Sequence, residues 1–271
     1  MAKLINTNKL PPKLYHYRAF NDNHIKIITQ QTIYFSSPKK YNDPFDCKLF
    51  PDYRSISTKQ YIKDYFKNRN KKFENKQHKK RVKEIVEDLL EDLVNKMRKS
   101  QDDQSFKNLQ IMLDNGLLGI ICLSKKYDNI LMWGHYSRDH TGFCIGFDTK
   151  NLLEDLQNID YYGKVKYRRK KPSIKPSFDE SYYAKNYFIK SKDWSYEDEY
   201  RFLMKELYNN GDRIVQISKK TISEIFLGCQ MNEVTQDSMI KMIRNNLPNV
   251  KIYKAERSEK KFALNFIKLE V

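Results

Sequence analysis

Residues 132–148 read MWGHYSRDHTGFCIGFD. The first half crowds together Trp133, His135, Tyr136, Arg138, Asp139 and His140, and from Gly142 onward apolar residues alternate cleanly. A period of two marks a strand, so the block predicts a short helix or turn feeding into one. Upstream, LLGIICLS (117–124) has the length and content of another strand. Earlier still, KLYHYR (13–18) and QTIYFSS (31–37) are short and aromatic-rich, with the helix-compatible NDNHIKIITQ between them. SPKKYNDPFD (37–46) then breaks the pattern with two prolines and an Asn-Asp-Pro turn, as a loop leaving a strand edge does.

Composition shifts from Ser57 to about Leu113, where Val82, Ile85, Val86, Leu89, Leu90, Leu93 and Met97 recur at three- and four-residue steps. That spacing predicts an amphipathic helix, and we read about 57–115 as a charged helical insertion. Within it, the basic run from Lys63 to Lys83 contains only Asp64 and Glu74 as acids. After residue 148, strand-like and polar stretches return. YYAKNYFIKSKDW (182–194) reads as helical and YEDEYRFLMK (196–205) as a strand. RIVQIS, EIFLGC, a helix near 231–246, and the closing strands VKIYKAE and FALNFIKLEV follow. The order strand-rich, helical, strand-rich predicts a single α+β domain over 1–271 with a mixed or antiparallel sheet. No GxGxxG or GxxxxGK[ST] motif follows a strand, which argues against Rossmann and P-loop folds.

The chain has 271 residues, 39% hydrophobic, with 19 Tyr and 15 Phe supplying aromatic packing material. No apolar run approaches the ~20 residues that span a bilayer, and the start lacks the apolar core of a signal peptide. A cytoplasmic protein without membrane contact is expected. Cys47, Cys122, Cys144 and Cys229 are far apart in the sequence and read as reduced, largely buried thiols. Fifty-one basic against 34 acidic residues leave a formal charge of +17, which favours nucleic acid as a partner. Lys166, Arg168, Arg169, Lys170 and Lys171 cluster around Tyr167 as candidate phosphate contacts.

Three polar clusters could carry chemistry. In LYHYR, strand geometry puts His16 and Arg18 on one face, where burial would require an anionic partner such as a ligand. In WSYEDEYRFLMK the same geometry aligns Glu197, Glu199 and Arg201, a pair of carboxylates of which one ionises and the other is held by the guanidinium. In the opening block, Trp133, His135 and Tyr136 could wall a cleft for a planar ring, with Arg138 or His140 as donor. The plainer alternative makes Trp133 and Tyr136 core aromatics. His135 and His140 lack the HExxH pattern, and a third metal ligand would have to come from Asp43, Asp46 or elsewhere. Asn42, Asp43 and Asp46 would form the rim.

Taken in order, LYHYR…IYFSSPKKYNDPFD, ICLSKKYDNILMWGHYSRDHTGFCIGFD and KDWSYEDEYRF resemble a bacterial family of proteins of unknown function, number 2971, associated with defence and abortive-infection loci. More distantly, a His-bearing first strand, a Tyr/Ser-bearing second strand and a late Glu resemble the ADP-ribosyltransferases. That resemblance implies NAD as cofactor. It assigns His16 to the nicotinamide riboside and Tyr34 and Ser36 to the nicotinamide. Glu199 stabilises the oxocarbenium ion, with Glu197 as its rival. Arg18 would hold the pyrophosphate. The MWGHYSRDH block has no counterpart in that fold.

Three readings result. The first is a toxin-like antiviral effector with ADP-ribosyltransferase chemistry, acting on nucleic acid or another macromolecule. The second is a metal-dependent nuclease using Asp43, Asp46, Glu197 and Glu199. The third is a non-catalytic nucleic-acid sensor working with a defence-system partner protein.

Overall fold

β-Branched and aromatic residues at alternating positions need two apolar layers to cover them, and the chain supplies both. A computed structural model describes residues 2–7, 9–68, 76–103, 107, 117–177, 184–209 and 211–270. In chain order the strands are β1 (Lys3–Ile5), β2 (Lys13–Arg18), β3 (Thr32–Tyr34), β4 (Gly119–Ser124), β5 (Phe143–Asp148), β6 (Tyr161–Lys164) and β7 (Lys166–Arg168). They continue as β8 (Ile189–Ser191), β9 (Glu199–Met204), β10 (Ile214–Gln216), β11 (Ile222–Leu227), β12 (Lys251–Arg257) and β13 (Leu264–Lys268). The helices are α1 (Lys26–Thr29), α2 (Thr58–Asn68), α3 (Lys76–Ser100), α4 (Ile130–Tyr136), α5 (Thr149–Asp155) and α6 (Glu233–Asn246).

Nine strands form one mixed sheet in the order β1-β6-β9-β4-β2-β5-β11-β12-β13, while β3 pairs with β10 and β7 with β8. The β1–β6 and β11–β12 pairs are parallel; the other pairs in the large sheet are antiparallel. Strands from both sides of the helical insertion share this sheet. On one face, Ile27, Ile28, Met239 and Ile243 of α1 and α6 pack on Leu14, Phe143, Ile145, Ile225 and Ile252. On the other, Met132 and Trp133 of α4 cover Tyr15, Tyr17, Cys144 and Phe226. The alternation in FCIGFD therefore separates two buried layers, and does not divide an inside from a solvated outside.

α2 and α3 pack on each other around a small cluster of Ile56, Tyr61, Leu90 and Val94. The predicted stripe is only partly covered, since Ile85, Leu89 and Leu93 are exposed. The side chain of Val82, the basic residues Arg69, Lys71 and Lys72, and positions 104–106 and 108–116 lie outside the described residues. Two other expectations need correction. The helix predicted over 182–194 is instead a 3₁₀ turn (Lys185–Phe188), then β8, then a second 3₁₀ turn (Lys192–Glu197); residues 182 and 183 lie outside the described set. The strand predicted from Tyr196 starts at Glu199, because Asp198 adopts a left-handed conformation (φ 42, ψ 53). All four cysteines are free thiols, with Cys144 buried and the other three half-buried. No described helix is long and apolar enough to cross a membrane.

Candidate functional site

The site originates in an interrupted strand pairing. β2 pairs with β5 along its whole length, from Lys13↔Asp148 to Arg18↔Phe143. On its other edge it meets β4 at Tyr15↔Ser124 alone. Past that point the two strands part, and Ser36 bridges to Ile120 on the far end of β4. The gap opens into a cavity of about 330 Å³, at the small end of the roughly 300–1,000 Å³ typical of ligand sites. Its lining includes His16, Arg18, Ser36, Tyr41, Cys122, Ser124, His135, Tyr136, Lys190, Glu197 and Glu199.

β2 contributes a cationic pole. His16 is only 6% exposed, and its Nδ1 is buried without a hydrogen-bond partner. Burial, reinforced by Arg18 and His24, keeps its imidazole neutral, with a pKa well below the usual range. Arg18 has no acidic partner among the described residues, and burial lowers its pKa to about 10. A half-buried guanidinium with no acidic partner among the described residues is costly, and a bound anion would relieve that cost. Lys40 also lines this part of the cavity.

The second pole is a buried ionic network. Arg201 is 0% exposed and forms two bidentate pairs. With Asp46 the contacts are Nη2–Oδ2 2.5 Å and Nη1–Oδ1 2.8 Å; with Glu199 they are Nε–Oε1 2.7 Å and Nη2–Oε2 3.1 Å. Lys190 Nζ lies 2.6 Å from Glu197 Oε2 and 3.6 Å from carboxylate oxygens of both Glu199 and Asp46. The Tyr136 hydroxyl donates to Glu197 Oε1 at 2.5 Å. Burial would raise the Glu199 pKa, but Arg201 and Lys190 outweigh it and hold the carboxyl ionised, at about 2. Burial and the neighbouring Glu199 charge push Glu197 up to about 7, despite the opposing pull of Lys190.

Local structure aims these groups. The left-handed Asp198 lets Glu197, at the end of a 3₁₀ turn, and Glu199, at the start of β9, converge on Lys190. β4 fixes that turn: Ser124 Oγ donates to the Glu197 carbonyl (2.7 Å) and the Lys125 N–H to the Asp198 carbonyl (3.1 Å). α4 is tied to the same segment. Its N-cap Asn129 accepts from the N–H groups of Leu131 and Met132 and donates Nδ2 to the Tyr196 carbonyl at 2.8 Å. His135 Nδ1 hydrogen-bonds the Tyr196 hydroxyl at 2.8 Å.

His16, Arg18, Ser36, Asn42, Asp46, His135, Tyr136, Glu197 and Glu199 therefore line one cavity. Arg201 lies behind that lining as the partner of Asp46 and Glu199. Trp133 does not reach the cavity: it is fully buried and donates its indole N–H to the Tyr127 carbonyl at 2.8 Å. Tyr34 pairs with Ile214 on β10, and His140 sits in a left-handed turn; neither is in the wall. Asp46, expected on the rim, is a buried ion-pair partner. Asp43 is also buried, with Oδ2 unbonded.

Among the described residues, no group of three His, Cys, Asp or Glu side chains could hold a metal ion. Of the carboxylates in the nuclease reading, Asp46, Glu197 and Glu199 are engaged by Arg201 and Lys190, while Asp43 accepts the Phe45 N–H through Oδ1. Lys166, Arg168, Arg169, Lys170 and Lys171 are exposed, whereas Tyr167 turns inward, and its hydroxyl accepts the Glu199 N–H at 2.9 Å. Sequence reasoning missed Lys190, whose only signal is its position seven residues before Glu197.

Residues 132–202 match the model of a family described as protein of unknown function (DUF2971). The matched span runs from α4 to β9 and contains Tyr136, Lys190, Glu197, Glu199 and Arg201. No curated protein and no solved structure matches the chain.

Proposed function

We propose that the protein is an effector enzyme of ADP-ribosyltransferase type that binds NAD in the gap between β2 and β4. In this reading it breaks the bond between the nicotinamide nitrogen and ribose C1′ and passes ADP-ribose to a macromolecular acceptor, for which the +17 charge favours a polyanion. One observation carries the reading: three sequence-distant stretches bring His16, Ser36 and the Glu197/Glu199 pair to the wall of one cavity, in the order that the ADP-ribosyltransferase resemblance requires.

The chemistry follows from the two poles. Arg18, with no acidic partner among the described residues, takes the pyrophosphate, and Nδ1 of His16 hydrogen-bonds the bound ligand. When the C1′–N bond breaks, its electron pair leaves with nicotinamide and positive charge develops at C1′. Negative charge from the carboxylate pole stabilises it. Both Glu199 oxygens are already engaged by Arg201, so Glu199 supplies a fixed field. Glu197, with its pKa near neutrality, takes the proton lost by the acceptor nucleophile as that atom bonds to C1′.

The test is nicotinamide release from NAD, followed chromatographically. Glu197→Gln should lower the rate by on the order of 10²–10⁴ while NAD still binds, and Arg18→Gln should weaken NAD binding. A wild-type chain that neither binds NAD nor releases nicotinamide, with nucleic acid present or absent, would falsify the proposal.

A further inference from the structure

We infer that strand β7 and Phe45 form a docking track for single-stranded nucleic acid that ends at the cavity. Nucleic acid would then be the acceptor, an assignment that rests on the function proposed above. A run of charge alone is usually a solvated face. Here two further features accompany it.

The first is an exposed aromatic ring. Phe45 is 59% exposed, and Lys171 Nζ sits 4.7 Å from its ring centroid. It projects from the loop in which Asn42 lines the cavity and Asp46 anchors Arg201. An exposed ring at a cavity rim with a cation over it can stack a base, after the lysine shifts to a phosphate.

The second is direct attachment to the reacting end. Tyr167 lies opposite Lys190 in the β7–β8 pairing, and its hydroxyl accepts the Glu199 N–H at 2.9 Å. Alternation then turns Lys166 and Arg168 outward, within about one strand spacing, ~4.8 Å, of the strand carrying Lys190. Neither they nor Arg169, Lys170 and Lys171 form an ion pair among the described residues. A strand laid along these cations with a base on Phe45 would bring its next nucleotide to Glu197.

Fluorescence anisotropy with a labelled oligothymidylate of about 20 nucleotides, on the full chain across a salt series, tests the track. Lys166→Gln, Arg168→Gln and Lys170→Gln combined should flatten the slope of log affinity against log salt by about 2 and weaken binding on the order of 100-fold near 0.1 M. Phe45→Ala should weaken binding about tenfold with the slope unchanged. Lys241→Gln, Lys260→Gln and Lys261→Gln combined remove equal charge elsewhere and should cost no more than about threefold. The inference is overturned if the oligonucleotide does not bind, if the control triple weakens binding as much as the β7 triple, or if Phe45→Ala has no effect. Anisotropy requires no NAD, so the two readings fail separately. A chain that releases nicotinamide but ignores the oligonucleotide removes the track alone. One that binds through β7 without releasing nicotinamide keeps the track and removes its acceptor role.

Discussion

Glu197 lies within a buried set of three carboxylates and two cations, and one proton removes the surplus negative charge. Arg201 and Lys190 hold Glu199 ionised, so Glu197 takes the proton, and its pKa rises to about 7. The sign of the resulting pH dependence follows directly. Between about 4.5, the unperturbed value, and 7, native Glu197 holds a proton that the unfolded chain has lost. This contribution is fully present below about 4.5 and is lost as pH rises to 7, roughly 3 kcal/mol at most for such a shift. Glu199, held at about 2, acts oppositely, and its contribution disappears as pH falls from about 4.5 toward 2. Urea unfolding at pH 5 and pH 8 should therefore show the wild type losing stability relative to Glu197→Gln at the higher pH; parallel curves would refute the assignment. Turnover should fall below about pH 7, where the base is protonated. Arg201→Met takes the guanidinium fork from Asp46 and Glu199, leaving them Lys190 at 3.6 Å, and should cost about 3–5 kcal/mol in the same assay.

At the scale of elements, α4 and the 192–197 turn behave as one unit through Asn129. Its side chain caps the helix with Oδ1 and holds the Tyr196 carbonyl with Nδ2, so two substitutions separate these jobs. Asn129→Ala should lose the cap, about 1 kcal/mol in thermal unfolding, together with the tether. Asn129→Asp keeps the cap but cannot donate to Tyr196, so stability should largely hold while turnover falls in both variants. Equal turnover in Asn129→Asp and wild type would show that the tether does not position Glu197. The same interactions explain what the sequence made legible. β5 declares itself through apolar alternation and β2, β4 and β9 through short aromatic or apolar runs, all local patterns, and the mixed sheet follows from their order. The 192–197 3₁₀ turn and the left-handed Asp198 depend on bonds from Ser124 and Lys125, about 70 residues away, and β8 forms by pairing with β7, which helical spacing does not reveal. Lys190 and Asp46 resemble surface charges until Arg201 and Glu197 surround them. Trp133 has a ring that suits a cleft, but its N–H is committed to the Tyr127 carbonyl and it lies in the core, as the plainer alternative expects.

For the whole molecule, the separation of β2 from β4 is what turns a continuous sheet into a binding site. The nine strands supply a rigid frame on both sides of the gap, with helices over one face and α4 over the other. The proposed ligand thus enters a largely preformed space, and it should add stability that grows with the logarithm of its concentration over Kd. At a concentration 100 times its Kd, NAD should add about 2.7 kcal/mol, which for a chain of this size raises Tm by roughly 5–10 °C. Two variants locate the source of that shift. Arg18→Gln, which removes the cation with no acidic partner among the described residues, should abolish most of it. Trp133→Phe loses the bond to the Tyr127 carbonyl and should lower the starting Tm, yet retain the full ligand-induced rise, because Trp133 lies in the core layer behind the cavity. If Arg18→Gln rises as far as the wild type, or if Trp133→Phe alone loses the rise, the ligand binds somewhere other than the gap between β2 and β4.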